Sequence, residues 1–208
     1  MTTDVRRLAA ACGVVGPVVT LGSILLATML ADPQTFTWSG RALSDMGRPG
    51  TETFWLFNGG LVAGGLVGLP FAWRLWIAGR NRLERVGVGC LALALAGSAL
   101  VGVFFLEHTD YYLETDLHGP VALWFFGVAP IAQWILGAGA VLAGDRRWGA
   151  FTIAAGTGHV LTWLAWLAYL AIAAGSPMAW FAVPELIAAL LFGGWVVLAA
   201  VRVLTDRP

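Results

Sequence analysis

The chain has 208 residues, 59% of them hydrophobic and 12% charged, with a formal net charge of zero. A mean hydropathy of +0.79 is incompatible with a water-soluble domain. With no basic excess there is no electrostatic footprint for nucleic acid, so nucleic acid is not an expected partner.

Crossing a hydrocarbon core takes about 20 apolar residues in a helix. Six runs meet that length, at 8–30, 54–78, 86–105, 120–143, 150–174 and 181–204. Each is longer than a barrel strand and lacks strict alternation, so helices are the expectation. The first run follows Arg6 and Arg7. It exceeds the usual apolar core of a signal peptide, and no small-x-small cleavage site follows, so it reads as an uncleaved helix.

The connection 31–53 is the longest and contains Pro33, Gly47, Pro49 and Gly50. A short interfacial helix is expected over 40–46, with Trp38 at headgroup depth. In the second run Gly60, Gly64 and Gly68 share a face. Small residues let helix backbones approach closely, so this face is expected to pack on the third span or to mediate oligomerisation. The third run offers Gly97, Ser98 and Gly102. The connection to the fourth carries Tyr111 and Tyr112, suited to an interface, and His108 beside Glu107, read as a solvated loop residue. Ser176-Pro177 predicts a tight turn at 175–180 before the last run. Pro17, Pro70, Pro130 and Pro184 lie within or at the ends of runs, where each can free a carbonyl.

Charge sets the expected direction. All 12 cations are arginines. Arg6, Arg7, Arg74, Arg80, Arg82, Arg85, Arg146, Arg147, Arg202 and Arg207 fall on one side, and Arg41 and Arg48 on the other. The positive-inside rule then places both termini in the cytoplasm. The reading is an all-α, polytopic six-helix bundle, a single domain over 1–208, multi-pass in the cell membrane. Cys12 and Cys90 read as packing residues, without a disulfide or a zinc site.

Ionisable groups at membrane depth are costly and point to function. His159 lies near mid-membrane in the fifth run, and Glu185 near the outer end of the sixth. Asn58 and Gln133 add neutral polarity, His118 sits at the mouth of the fourth run, and Ser44 and Asp45 lie in the first outer connection. His159, Thr162, Trp166 and Tyr169 recur at three-to-four-residue spacing and are expected to share a face. An outward-facing cavity floored near His159 and rimmed by Asp45, His118 and Glu185 would gather these groups. Such residues can hold a divalent metal such as zinc, do acid–base work, or shuttle a proton. The known spacing motifs for metalloproteases, serine nucleophiles and phosphate loops are missing.

Four short motifs, Ser44-Asp45-Met46-Gly47, Phe57-Asn58-Gly59, Gly102-Val103-Phe104 and Leu117-His118-Gly119, occur in this order. Together they resemble domain-of-unknown-function family 998, six-helix membrane proteins of archaea and bacteria. The resemblance covers most of the chain. Met46 stands where the family usually has leucine, and Phe105 and Leu106 where it often has proline and an acid. The resemblance implies location and fold, and marks Ser44, Asp45, Asn58 and His118 as one site. Other helical membrane hydrolases place Ser, Asp and His around zinc. This chain is similar in residue types, but its sixth run lacks their paired histidines.

The leading expectation is a protein that binds a lipid or small amphiphile from the membrane, with hydrolysis as a further option. Asp45, His118, His159 and Glu185 would be the catalytic groups, with Asp45, His118 and Glu185 as candidate metal ligands. Ser44, Asn58, Gln133, Trp166 and Tyr169 would contact substrate. The alternatives are a proton-coupled transporter using His159 and Glu185, and a non-catalytic assembly protein.

Overall fold

The computed structural model describes residues 3–173 and 176–205. Arg207, Ala174 and Gly175, which carried parts of the topology and turn readings, lie outside the described residues. Six α-helices and two short 3-10 helices make up the fold, and no strand occurs among the described residues. The helices are α1 (Thr3–Leu30), α2 (Phe54–Ala78), α3 (Arg82–Val103), α4 (His118–Leu142), α5 (Arg146–Ala173) and α6 (Ala182–Thr205). All six are long and apolar enough to cross a membrane.

Each helix packs on its neighbours in sequence, and α6 closes against α1. The result is a ring whose interior is filled by side chains. Phe71, Leu91, Phe125, Phe192, Trp195 and Val196 form the middle of that filling. A smaller cluster at one end packs Ile24, Phe57 and Leu61 against Leu43 and Met46. We call this the closed end, because the α1–α2 connection folds over it. The opposite end carries the α2–α3 and α4–α5 turns and most of the arginines, and is called the basic end.

Helix α2 runs over 54–78 as expected, but α1, α3, α4 and α5 begin earlier than their apolar runs. Helix α3 starts at Arg82, where the Asn81 side chain accepts the Glu84 N–H at 2.9 Å and donates to the Gly139 carbonyl at 2.8 Å. One residue therefore caps α3 and ties it to the end of α4. Beside it, Arg80 pairs with Glu84 at 2.5 Å. That hydrogen bond holds the guanidinium above its usual pKa, against the lowering effect of burial.

The glycine face of α2 has a different partner from the one expected. A Cβ on Gly60 or Gly64 would run into α1, at Ser23 and Thr20, whereas Gly65 and Gly68 meet α3 at Leu95. The Gly60/Gly64/Gly68 face is thus buried within the chain, mostly against α1. On α5 the buried residues are Gly149, Thr152, Gly156 and His159. This stripe drifts around the helix, so His159 lies at its edge while Thr162, Trp166 and Tyr169 turn toward α6 and the outer surface. Both cysteines are free.

Candidate functional site

The closed end is built by the α1–α2 connection. Its 3-10 helix, η1 (Leu43–Gly47), has Leu43, Asp45, Met46 and Gly47 buried. The expected interfacial helix over 40–46 is therefore shifted along the chain and tucked into the bundle, because Leu43 and Met46 gain more from the apolar end than from the surface. Trp38 stays partly exposed with its ring edge-on to Phe36.

Polar side chains from three places hold η1. The Glu185 carboxylate of α6 accepts the Leu43 N–H at 2.7 Å. The Asn58 amide of α2 donates to the Gly47 carbonyl at 2.9 Å. Thr53 donates its hydroxyl to the Met46 carbonyl at 2.8 Å. Asp45 works within the segment: one oxygen accepts the Ala42 N–H at 2.9 Å and the other accepts Arg48 Nε at 2.7 Å. Arg48 also pairs with Glu107 in the α3–α4 connection. The Asp45 hydrogen bond raises the Arg48 pKa above its ordinary value, against partial desolvation.

The family-like motifs are thereby linked in space. At Gly47 a Cβ would lie 2.6 Å from Asn58 Oδ1, and at Gly102 it would lie 2.5 Å from the Asn58 carbonyl. Glycine is required at both places so that Asn58 can reach the η1 backbone. The other two motifs meet where His118 Nδ1 lies 2.7 Å from the Phe104 carbonyl. That carbonyl sits at the C-cap of α3 and has no helical donor of its own. A carbonyl only accepts, so Nδ1 carries the proton in this bond and Nε2 of the neutral ring is an acceptor.

Beneath η1 lies a cavity of about 530 Å³. Ser44, Asp45, Arg48, His118 and Glu185 line it together with Leu123, Phe126, Trp163 and Phe181. A narrow extension runs inward past Ser44, His118 and Glu185 to Ser98 and Phe125. Four of the expected residues, Ser44, Asp45, His118 and Glu185, are thus brought to one hollow. The carboxylates of Asp45 and Glu185 already hold backbone and guanidinium donors, and His118 keeps an open ring nitrogen.

The remaining expected residues lie elsewhere. Asn58 sits under η1, outside the cavity lining. His159 is fully buried, behind Phe126 and Trp163, whose rings form the cavity wall; its own ring is 6.0 Å from that of Phe126. Pro130 has no N–H, which leaves the Phe126 carbonyl without its helical donor. His159 faces that carbonyl, though neither ring nitrogen closes a hydrogen bond of normal geometry. Gln133 is also fully buried, against Gly156, with both amide atoms unpaired among the described residues. Trp166 and Tyr169 line a separate groove between α5 and α6 that faces outward, and Trp166 Nε1 donates to the Ala179 carbonyl at 2.9 Å. His108 is not solvated. It is buried, with its ring nitrogens 2.9 Å and 3.2 Å from the Phe105 and Thr115 carbonyls, so it staples the α3–α4 connection.

A divalent metal does not fit the donor set. No group of three His, Cys, Asp or Glu gathers closely enough to hold one among the described residues. The carboxylates that would serve are committed to Leu43, Ala42 and Arg48. Sequence reasoning named Trp163 as able to line a pocket, which it does, but missed Arg48 as a site residue. The Asp45–Arg48 spacing of three residues was a usable signal.

A ring of six apolar, membrane-length helices with a polar hollow at one end defines a multi-pass helical membrane protein. The chain belongs to the family described as protein of unknown function, DUF998, which matches residues 14–202. Comparison with curated proteins and with solved structures gave no match.

Proposed function

We propose that the cavity beneath η1 binds a lipid or small amphiphile, with its polar head at Ser44, Arg48 and His118 and its apolar part against Phe126, Trp163 and Phe181. The observation that carries this reading is the locked tautomer of His118. Its Nδ1–H is bound to the Phe104 carbonyl, so Nε2 offers a lone pair to the cavity. A ligand must therefore supply a donor there, which selects a hydroxyl- or amine-bearing head, while Ser44 and the remaining Arg48 N–H groups supply donors for its acceptors. The volume of about 530 Å³ suits a small-molecule site. The arginine distribution supports an orientation with this end outward and both termini in the cytoplasm. On this reading the chain is one domain. Hydrolysis would need His118 as the base, since Asp45 and Glu185 already accept hydrogen bonds from η1 and its flanks.

The test is His118→Asn. An asparagine amide can still donate to the Phe104 carbonyl but has no counterpart of Nε2 as acceptor. Native mass spectrometry of protein purified from membranes is expected to show a retained amphiphile in the wild type and about tenfold less in the variant, the equivalent of one hydrogen bond worth about 1.4 kcal/mol. Equal retention would refute the reading.

A carrier is the second reading, and one observation favours it. A further hollow lies at the basic end, and Phe125, Phe192 and Trp195 fill the ring between the two. Movement of the retained amphiphile across proteoliposome membranes would support it. Retention without movement leaves binding alone.

A further inference from the structure

The hollow at the basic end has a volume of about 380 Å³ and is enclosed by α2 to α6. Its floor is apolar, with Val88, Leu136 and Trp195, and Trp195 Nε1 is occupied by the Thr152 hydroxyl at 3.1 Å. Its mouth carries Arg74, Arg80, Arg202, Glu84 and Asp145. Four of these five charges are bonded to one another. Arg80 holds Glu84 at 2.5 Å and approaches Asp145 at 4.0 Å, and Arg202 holds Asp145 at 2.5 Å while lying over the Trp148 ring.

Arg74 is the exception. It is half-buried about one turn before the end of α2 at Ala78, inside a membrane-length helix. It lines the hollow and makes no hydrogen bond or ion pair among the described residues. Retaining a guanidinium at such a position without a partner is costly, and an arginine there commonly reaches outward to water. Arg74 is therefore a guanidinium in the lining without an acidic partner among the described residues, above an apolar floor.

We infer that this hollow binds a singly charged phosphodiester that carries an apolar body, with Arg74 as its principal contact. A phosphodiester matches the single charge of Arg74. The planar guanidinium fork matches two of its oxygens, whereas a dianion would be left undercompensated. The apolar body would lie on Val88, Leu136 and Trp195. The same chemistry is offered by an anionic lipid head group and by a free phosphodiester, and the volume admits a head group with only the start of its chains.

The experiment uses the full chain in nanodiscs of zwitterionic phosphatidylcholine, titrated with dibutyl phosphate and followed by thermal melting. A parallel sample contains phosphatidylglycerol and is read by native mass spectrometry. At least one probe is expected to bind the wild type saturably, and Arg74→Gln is expected to weaken that binding by about tenfold or more. Arg74→Lys, which keeps the charge and loses the fork, should fall between them and covers the case in which the glutamine variant fails to fold. Arg41→Gln, at the closed end, should bind as the wild type does. Binding of phosphatidylglycerol alone assigns the lipid as the source, and binding of dibutyl phosphate alone assigns a soluble ligand. The inference is overturned if neither probe binds the wild type, or if an Arg74 variant binds both unchanged.

Discussion

Glu185→Leu is expected to destabilise the protein by about 3 kcal/mol and to abolish amphiphile retention. The carboxylate is buried and accepts the Leu43 N–H at 2.7 Å across the closed end. Leucine is close in size but accepts nothing, so a buried N–H would lose its partner. The consequence reaches beyond one bond. Glu185 is the α6 side-chain anchor of η1, and Ser44, which lines the cavity, follows Leu43 directly. Glu185→Gln keeps an acceptor oxygen and removes the acid. Its side-chain oxygen can still accept from Leu43, so most of the stability should remain. Thermal melting of the three proteins side by side checks this. Equal melting of wild type and the leucine variant would show that η1 does not depend on Glu185.

Gly64→Val should cost about 3 kcal/mol, at the upper end for overpacking. The ideal Cβ at this position lies 1.9 Å from Thr20 Oγ1 and 2.6 Å from the Gly16 carbonyl. The threonine could rotate away, but the backbone of α1 cannot move without separating the two helices. Gly59 is the internal control. Nothing lies within 4 Å of a Cβ there, so Gly59→Ala should be within about 0.5 kcal/mol of wild type. Comparable losses at the two positions would mean that the α1–α2 contact is not the close approach described.

The spans were legible because an apolar run of membrane length has few alternative structures. Their ends were less so. Helices α1, α3 and α5 continue outward through Arg6 and Arg7, Arg82 and Arg85, and Arg146 and Arg147. Hydropathy reports the solvent around a helix, whereas the helix itself ends where hydrogen bonding and caps such as Asn81 end it. The glycine face announced close packing but not its partner, since spacing along α2 carries no information about which neighbour approaches. His159 was displaced from the cavity by angular drift. Its stripe on α5 turns inward through Gly156 and Thr152, while Trp166 and Tyr169 turn outward, and a three-to-four spacing alone does not separate these directions. The four family-like motifs carried more, because they mark a built contact: Asn58 on Gly47, and His118 on Phe104. His108 misled because its acidic neighbours suggested solvent, while carbonyls of its own loop enclose it.

The proposed amphiphile head meets His118 Nε2 in the hollow beneath η1. An experimental structure of the protein purified from membranes, at a resolution that shows bound lipids, tests it most directly. Elongated density is expected there, with its polar end within hydrogen-bonding distance of His118 Nε2 and Ser44 Oγ, and its tail along Phe126, Trp163 and Phe181. A hollow filled by the protein's own side chains, or a His118 ring whose Nε2 is taken by a protein donor, would contradict it.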